Sequence, residues 1–137
     1  MKPEAVIQKH CAALLALDGW RRVRTDPVSD RARGKGFGEI GMADDLFIRY
    51  ALPERQGTIT IEPSPGDAEV LWVEWKAPRG KLTTAQKLWR LTERKRGALA
   101  IAATVDFPPS IEGFTKWYRE SGLLRNRSLI SQRRIDA

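Results

Sequence analysis

Four polar side chains in the middle of the sequence have types and spacing that could perform chemistry. They are an aspartate preceded by a glycine, a glutamate with a lysine two residues later, and a glutamine: Asp44 after Gly41, Glu74 with Lys76, and Gln86. Two carboxylates that converge from neighbouring strands suit Mg²⁺, which prefers oxygen ligands in an octahedral shell. A lysine beside them can orient a water and neutralise developing negative charge. The combination suits metal-dependent hydrolysis of a phosphodiester bond.

The glutamate and the lysine lie in a predicted strand. Residues 69–77 are rich in β-branched and aromatic types and contain no Gly or Pro, which favours a strand covered on both faces. Glu74 and Lys76 share one face of it, about 6.6 Å apart at a rise of about 3.3 Å per residue. A charged pair there is costly unless its members pair with each other or bind something else. An edge ion pair and a functional site are therefore both open interpretations.

The aspartate lies at the start of a second predicted strand, over residues 45–51. Gly41 gives the backbone freedom to turn sharply into that strand. An aspartate at such a position is often solvated or caps a turn, and this alternative stays open. Asp45 points to the opposite face, so its replacement is expected to matter much less for chemistry at Asp44.

Three segments resemble the virus-type replication-repair nuclease domain of the PD-(D/E)xK nuclease superfamily. The family pattern is Gly-x-Pro-Asp, a strand ending in Glu-x-Lys, a short Gly/Pro loop and a helix that opens with Gln. The corresponding segments here are Gly41-Met-Ala-Asp44, Val73-Glu74-Trp75-Lys76-Ala-Pro78 and Leu82-Thr-Thr-Ala-Gln86. The likeness spans nearly the whole chain. Ala43 stands where the family commonly has proline, and residues 52–67 form a longer segment than the family's hairpin turn.

The resemblance assigns roles to individual residues. It implies that Asp44 and Glu74 bind Mg²⁺ or Mn²⁺, that Lys76 is the lysine of the motif, and that Gln86 faces the metal site. Glu4 matches a glutamate that such nucleases often carry on their first helix, where it would complete the metal site. The implied fold is a restriction-endonuclease-like sandwich.

Glu4 and Gln86 also have simpler explanations. Glu4 begins a helical face that continues with apolar residues, but a negative charge near a helix N-terminus is favourable in itself. That face consists of Glu4, Ile7, Gln8, Cys11, Leu14 and Leu15. Gln86 is the third residue after Thr83, which fits a capping box.

The resemblance implies a metal-dependent DNA endonuclease of replication and repair. Standalone members of the family resemble junction resolvases and tend to be homodimers, so branched or junction DNA is the expected substrate. The alternatives are a restriction-type duplex nuclease, a catalytically idle nucleic-acid-binding module on the same fold, and an RNA nuclease. Intact Asp44, Glu74 and Lys76 argue against the idle module.

Composition narrows the function classes. The 137 residues, 42% of them hydrophobic, suffice for one domain with a real core. The single cysteine, Cys11, excludes an internal disulfide framework and a cysteine-rich zinc site, and we expect it to pack in the core. His10 is the only histidine. The sequence lacks a long apolar run and a signal-peptide pattern, which predicts an intracellular, cytoplasmic location in a bacterial or phage-infected cell.

The net charge of +7 is unevenly distributed. Residues 21–35 and 87–96 each carry a net charge of +4, whereas residues 44–76 carry −4. An acidic centre between basic segments suits a nuclease, because cations can hold phosphates while carboxylates hold a metal. Solvated basic surface is the alternative. The predicted nucleic-acid-binding residues are Arg22, Arg24, Arg31, Arg33, Lys35, Arg90 and Arg94.

The periodicities predict an α/β fold with a mixed central sheet flanked by helices. The helices are expected at 3–18, 84–96 and 111–121, and the strands at 20–25, 45–51, 69–77 and 98–105, with a possible extra strand at 57–62 and a DNA-facing loop at 26–40. The inner stripe of the second helix should contain Ala85, Leu88, Trp89 and Thr92. We expect a nuclease domain over 1–121 and a basic tail over 122–137, which would grip DNA, bind a partner or be disordered, with DNA gripping preferred.

Overall fold

Four strands form one mixed sheet in the computed structural model, which describes residues 2–24, 39–50, 68–126 and 128–129. The elements of these ranges, in chain order, are α1 (Pro3–Leu17), β1 (Trp20–Arg24), β2 (Asp45–Tyr50), β3 (Ala68–Glu74), α2 (Thr84–Lys95), β4 (Leu99–Ala102) and α3 (Ile111–Glu120). The possible strand at 57–62 and most of the predicted loop at 26–40 lie outside the described residues.

The strands lie side by side in chain order. β1 pairs with β2 and β2 with β3 in antiparallel fashion, whereas β4 runs parallel to β3 after the α2 crossover. Side chains alternate between the two faces as their period predicts. Phe47, Leu71 and Val73 are fully buried on one face, while Val70 on the other face is 44% exposed. The expectation that β3 is covered on both sides therefore holds for only part of its length.

Helices α1 and α3 cover the face that carries Phe47, Leu71 and Val73. The apolar stripe predicted for α1 is confirmed, because its residues enter the core together with the aromatic rings of α3. The buried residues contributed by these two helices are Ile7, Cys11, Ala12, Leu15, Phe114 and Tyr118. Burial also raises the pKa of the Cys11 thiol to about 12, as expected for a packing residue.

Helix α2 covers the opposite face less completely. The Trp89 ring meets Trp72 of β3 edge to face, with 5.2 Å between the ring centroids, a favourable aromatic geometry. Leu88, predicted to belong to the inner stripe, is 64% exposed, so that part of the prediction is wrong. With helices on both faces, the predicted mixed sheet flanked by helices is confirmed.

Local capping residues set the starts of α2 and α3. Thr83 accepts a hydrogen bond from the Gln86 N–H, and the Gln86 side chain accepts one from the Thr83 N–H, which completes a capping box. Ser110 accepts a hydrogen bond from the Gly113 N–H at the start of α3. Gly97 follows α2 with φ +91°, the left-handed conformation that commonly ends a helix.

Two strands end earlier than predicted. β3 ends at Glu74, so Lys76 lies beyond the strand. β4 ends at Ala102, where the chain turns: the Ala102 carbonyl accepts the N–H groups of Val105 and Asp106 at 3.2 and 2.9 Å. Thr104 then adopts φ +76°, which no continuing strand could accommodate.

A buried ion cluster joins α1, β2 and α3. The Arg49 guanidinium donates to Asp18 at 2.9 Å and to Glu69, and it lies 4.4 Å from the ring centroid of Trp20. The Tyr118 hydroxyl donates to Asp18 as well. A buried arginine is tolerated only where its donors and charge are matched, and Asp18 and Glu69 supply that match.

The chain that follows α3 packs against the same cluster. Asp18 accepts the backbone N–H groups of Arg125 and Asn126, and the Arg125 guanidinium donates to the Tyr50 carbonyl and to Glu69. The first part of the predicted basic tail thus contacts the domain. Residue 127 and residues 130–137 lie outside the described part, so the division at 121/122 and the role of the tail stay predictions.

We expect Asp18→Ala to lower the free energy of unfolding by about 3–5 kcal/mol, because it leaves Arg49 buried without its main counter-charge. Urea unfolding measures the change. Glu120→Ala on the exposed end of α3 is the matched control and should alter stability by less than about 0.5 kcal/mol. Equal stability of the two variants would mean that the cluster does not hold the fold together.

Candidate functional site

Asp44 and Glu74 lie opposite each other at one end of the β2–β3 ladder. The register pairs Asp45 with Val73, and one further antiparallel step sets Asp44 against Glu74. Their side chains take the place of the next ladder bonds. Glu74 Oε2 accepts the Asp44 N–H at 3.1 Å, and Asp44 Oδ2 accepts the Trp75 N–H at 3.0 Å. The sheet itself therefore brings the two predicted metal ligands together.

Gly41 allows the loop before β2 to lie directly on α2. It has φ +82°, and a Cβ built there would lie 2.4 Å from the Ala85 carbonyl oxygen. Both the conformation and the contact require glycine. This contact places the loop that carries Asp44 against the first turn of α2, where Gln86 lies.

Gln86 closes the predicted capping box and also contacts Glu74. Its Oε1 accepts the Thr83 N–H at 2.9 Å and closes the capping box, while its Nε2 donates to Glu74 Oε1. One amide thus starts α2 and fixes the orientation of the Glu74 carboxyl. A planar amide with an acceptor on one side and donors on the other allows this.

Glu74 is 5% exposed and faces another acid. Burial in the first place, and then the hydrogen bond and negative charge of Asp44, raise the pKa of Glu74 to about 9. The Lys76 ammonium, with Nζ 3.8 Å from Glu74 Oε1, and the Asp44 N–H partly oppose that rise. Near neutral pH, the pair holds a proton that a bound cation could replace.

Lys76 and Glu4 lie at the border of this pair. Lys76 is beyond the end of β3, yet its side chain is 15% exposed and still reaches Glu74. The pKa of Glu4 is raised by burial and by the charge of Asp44, and lowered by Lys76 and Lys2. All four predicted acidic and basic side chains of the site, with Gln86, therefore lie in one region.

Asp45 has a structural role that the sequence did not indicate. It faces away from Asp44 as predicted, but its carboxylate is 1% exposed and accepts hydrogen bonds from Arg22, Trp75 Nε1 and Gln8. Replacing Asp45 would therefore disturb the core, which makes it unsuitable as a silent comparison for Asp44. The position of Asp45 in the sequence, next to Asp44 at the start of a strand, does not indicate that Arg22, Trp75 and Gln8 are its partners.

Four of the predicted nucleic-acid-binding side chains cannot be placed. Arg31, Arg33 and Lys35 lie outside the described residues, and of Arg24 only the backbone is described. Their role stays a prediction.

The other three cations of that set differ in their contacts. Arg22 and Arg90 each form two hydrogen bonds to an aspartate, Asp45 and Asp106 respectively, and are largely shielded. Arg94 is exposed and, within the described ranges, donates to the backbone carbonyl of Ala100 at 3.4 Å. Arg94 is thus the most accessible of the three for a phosphate.

The donor set fits a hydrated Mg²⁺ ion. Across residues 2–24, 39–50, 68–126 and 128–129, no three His, Cys, Asp or Glu side chains are grouped so as to hold a metal. Mg²⁺, however, keeps several waters and commonly uses only one or two protein carboxylates. Asp44 and Glu74 supply two, in a position where their mutual repulsion favours a cation.

Comparisons with protein-family models, with curated proteins and with solved structures find no match to the chain. Within the described ranges, no helix is long and apolar enough to cross a membrane.

We expect Gly41→Ala to destabilise the protein by about 3 kcal/mol or more, since it combines an unfavourable φ with a clash against the α2 backbone. Gly97→Ala is the matched control, because Gly97 also has a positive φ but nothing within 4 Å of an added Cβ. The free energy of unfolding of Gly97→Ala should fall by only about 1 kcal/mol. Equal losses in urea unfolding would contradict the packing of the Asp44 loop on α2.

We expect the metal-free protein to lose stability as the pH rises from about 5 to about 9. The folded pKa of Glu74 is raised above its unfolded value, so the folded chain retains a proton that the unfolded chain has lost. Glu74→Gln should flatten the dependence, whereas Glu120→Gln should leave it unchanged. The pH dependence is measured as the free energy of unfolding at several pH values in EDTA. If this free energy changes with pH equally in wild type and in Glu74→Gln, the pKa of Glu74 is not raised.

Proposed function

We propose that the chain is a metal-dependent nuclease that hydrolyses phosphodiester bonds in DNA, with Asp44 and Glu74 as metal ligands. The observation that carries the proposal is a carboxyl pair at the end of two paired strands, in which buried Glu74 lies opposite half-buried Asp44. The Lys76 ammonium group lies 3.8 Å from Glu74. Burying such charged groups side by side lowers the stability of the fold. Groups that destabilise a fold in this way are typical of functional sites.

Three aspartates that are buried or largely shielded support this interpretation by contrast. Asp18, Asp45 and Asp106 each pair with an arginine, the usual way to bury a carboxylate. Glu74 instead contacts a second acid, a glutamine amide and, at longer range, Lys76. A divalent cation would supply the positive charge that the arginines supply elsewhere.

The residues of the site have separable tasks in this proposal. Asp44 and Glu74 would hold Mg²⁺ or Mn²⁺, and Gln86 keeps the Glu74 carboxyl oriented towards Asp44. Lys76 positions a water or offsets charge on the phosphate, and Glu4, whose pKa responds to the charges of Asp44 and Lys76, would assist at the edge. When bound, the metal would polarise the phosphate and lower the pKa of a bound water.

The wider proposal concerns the fold class and the substrate. A mixed sheet flanked by helices, with the acids at the end of two adjacent strands, is compatible with a restriction-endonuclease-like fold, which we propose for the chain. The basic segments flanking the acidic centre favour DNA as the partner. We further propose a homodimer that acts on branched DNA, on the basis of the motif residues.

A cleavage assay tests the proposal. Labelled four-way junction, flap, single-stranded and duplex DNA are incubated with the protein and Mg²⁺, Mn²⁺ or EDTA. We expect metal-dependent cleavage that falls by at least about a hundredfold in Asp44→Asn and in Glu74→Gln, while DNA binding persists. Glu120→Gln serves as the control carboxylate. Wild-type rates in either site variant would mean that the site is assigned incorrectly.

Lys76→Met separates metal binding from the chemical step. It retains most of the side-chain volume but removes the ammonium group, so calorimetry should still detect metal binding while single-turnover cleavage slows. Loss of metal binding with normal turnover would contradict the role of Lys76.

A further inference from the structure

A cleft of about 420 Å³ lies between the N-terminal ends of α1 and α3 and the loop that follows Lys76. Its walls are mostly apolar, with proline rings on three sides. The apolar lining residues are Pro3, Val6, Ile7, Pro78, Pro109 and Ile111. The cleft is shallow and widely open to solvent, so it can receive a flat group from one side.

Two residues that line the cleft are close in the chain to residues of the candidate site. Pro3 precedes Glu4, whose pKa responds to Asp44 and Lys76. Pro78 follows Lys76 by two residues, on the loop that leads away from β3. Because consecutive Cα atoms are about 3.8 Å apart, a group bound in the cleft would lie near Glu4 and Lys76.

We propose that this cleft receives an unstacked nucleobase next to the phosphate that is cut. The inference rests on the proposed function, and it specifies the substrate further. A base has two flat, weakly polar faces, which suit walls of proline rings and aliphatic side chains. Bases outside a duplex are usually held by such stacking together with a few polar contacts to their edges.

The polar groups around the cleft match the rest of a nucleotide. Ser110 and Glu112 line one side, where a hydroxyl and a carboxylate can bind the edge of a base. Exposed Lys2, Arg79 and Lys81 immediately adjoin or follow lining residues, where they can attract flanking phosphates. Apolar walls with exposed cations nearby in the chain suit a nucleotide better than an uncharged apolar ligand.

A base can enter the cleft only if it leaves the helical stack. DNA with an unpaired nucleotide at the cleavage point, such as a flap, a branch point or a single strand, should therefore be preferred over continuous duplex, because unstacking costs less there. The cleft thus gives a physical reason for structure-specific cleavage.

Filling the cleft tests the proposal. Val6→Trp places a large ring in it, and Ala13→Trp, exposed on the same helix, is the matched control. A single-stranded oligonucleotide that contains 2-aminopurine is bound in EDTA, where its fluorescence should rise as the base unstacks. We expect the rise with wild type and Ala13→Trp and its loss with Val6→Trp. Cleavage of single-stranded and flap DNA by Val6→Trp should fall by about tenfold.

The outcomes separate this proposal from the nuclease assignment. If wild type cuts no DNA but the fluorescence response depends on the cleft, the assigned activity fails and the base site stands. If wild type cuts DNA and Val6→Trp matches it in both readouts, the cleft does not hold a base. Ile111→Trp fills the cleft from α3 and replaces Val6→Trp if circular dichroism shows that the latter does not fold.

Discussion

The antiparallel register between β2 and β3 is the constraint on which the site depends. It sets Asp44 opposite Glu74, at the point where backbone pairing gives way to hydrogen bonds from the two carboxyl groups. A shift by one residue would send one acid to the opposite face of the sheet. Phe47, Leu71 and Val73 fix the register because they must remain in the core. The packing that stabilises the sheet therefore also positions two acids that would otherwise repel each other.

The fold follows the sequence wherever local chemistry determines it. The capping box at Thr83 and the glycine at Gly97 set the bounds of α2, and the alternation of side chains identified β2 and β3. The errors arise where distant contacts decide. β4 ends at Ala102, where the chain turns and the Ala102 carbonyl accepts the N–H groups of Val105 and Asp106. Leu88 was misplaced because helical periodicity indicates an apolar face without indicating what covers it.

The candidate site was predictable as residue types and spacing, but its environment was not. The spacing of Thr83 and Gln86 predicted the capping box, but nothing local indicates that the same amide also contacts Glu74. The role of Asp45 depends on partners 23 to 37 positions away in the sequence, and composition marks Arg22 as a cation without revealing that it is bound to Asp45. Sequence spacing shows which polar groups are present, whereas burial and long-range pairing decide which of them are available to bind a ligand.

Calorimetric titration of the metal-free protein with Mg²⁺ or Mn²⁺ tests most directly whether Asp44 and Glu74 form a cation site. We expect saturable binding near neutral pH, with a measured heat that varies with the ionisation enthalpy of the buffer because binding displaces the Glu74 proton. Glu74→Gln should abolish this binding. Undetectable binding by wild type, or equal affinity and equal proton release in Glu74→Gln, would contradict the assignment.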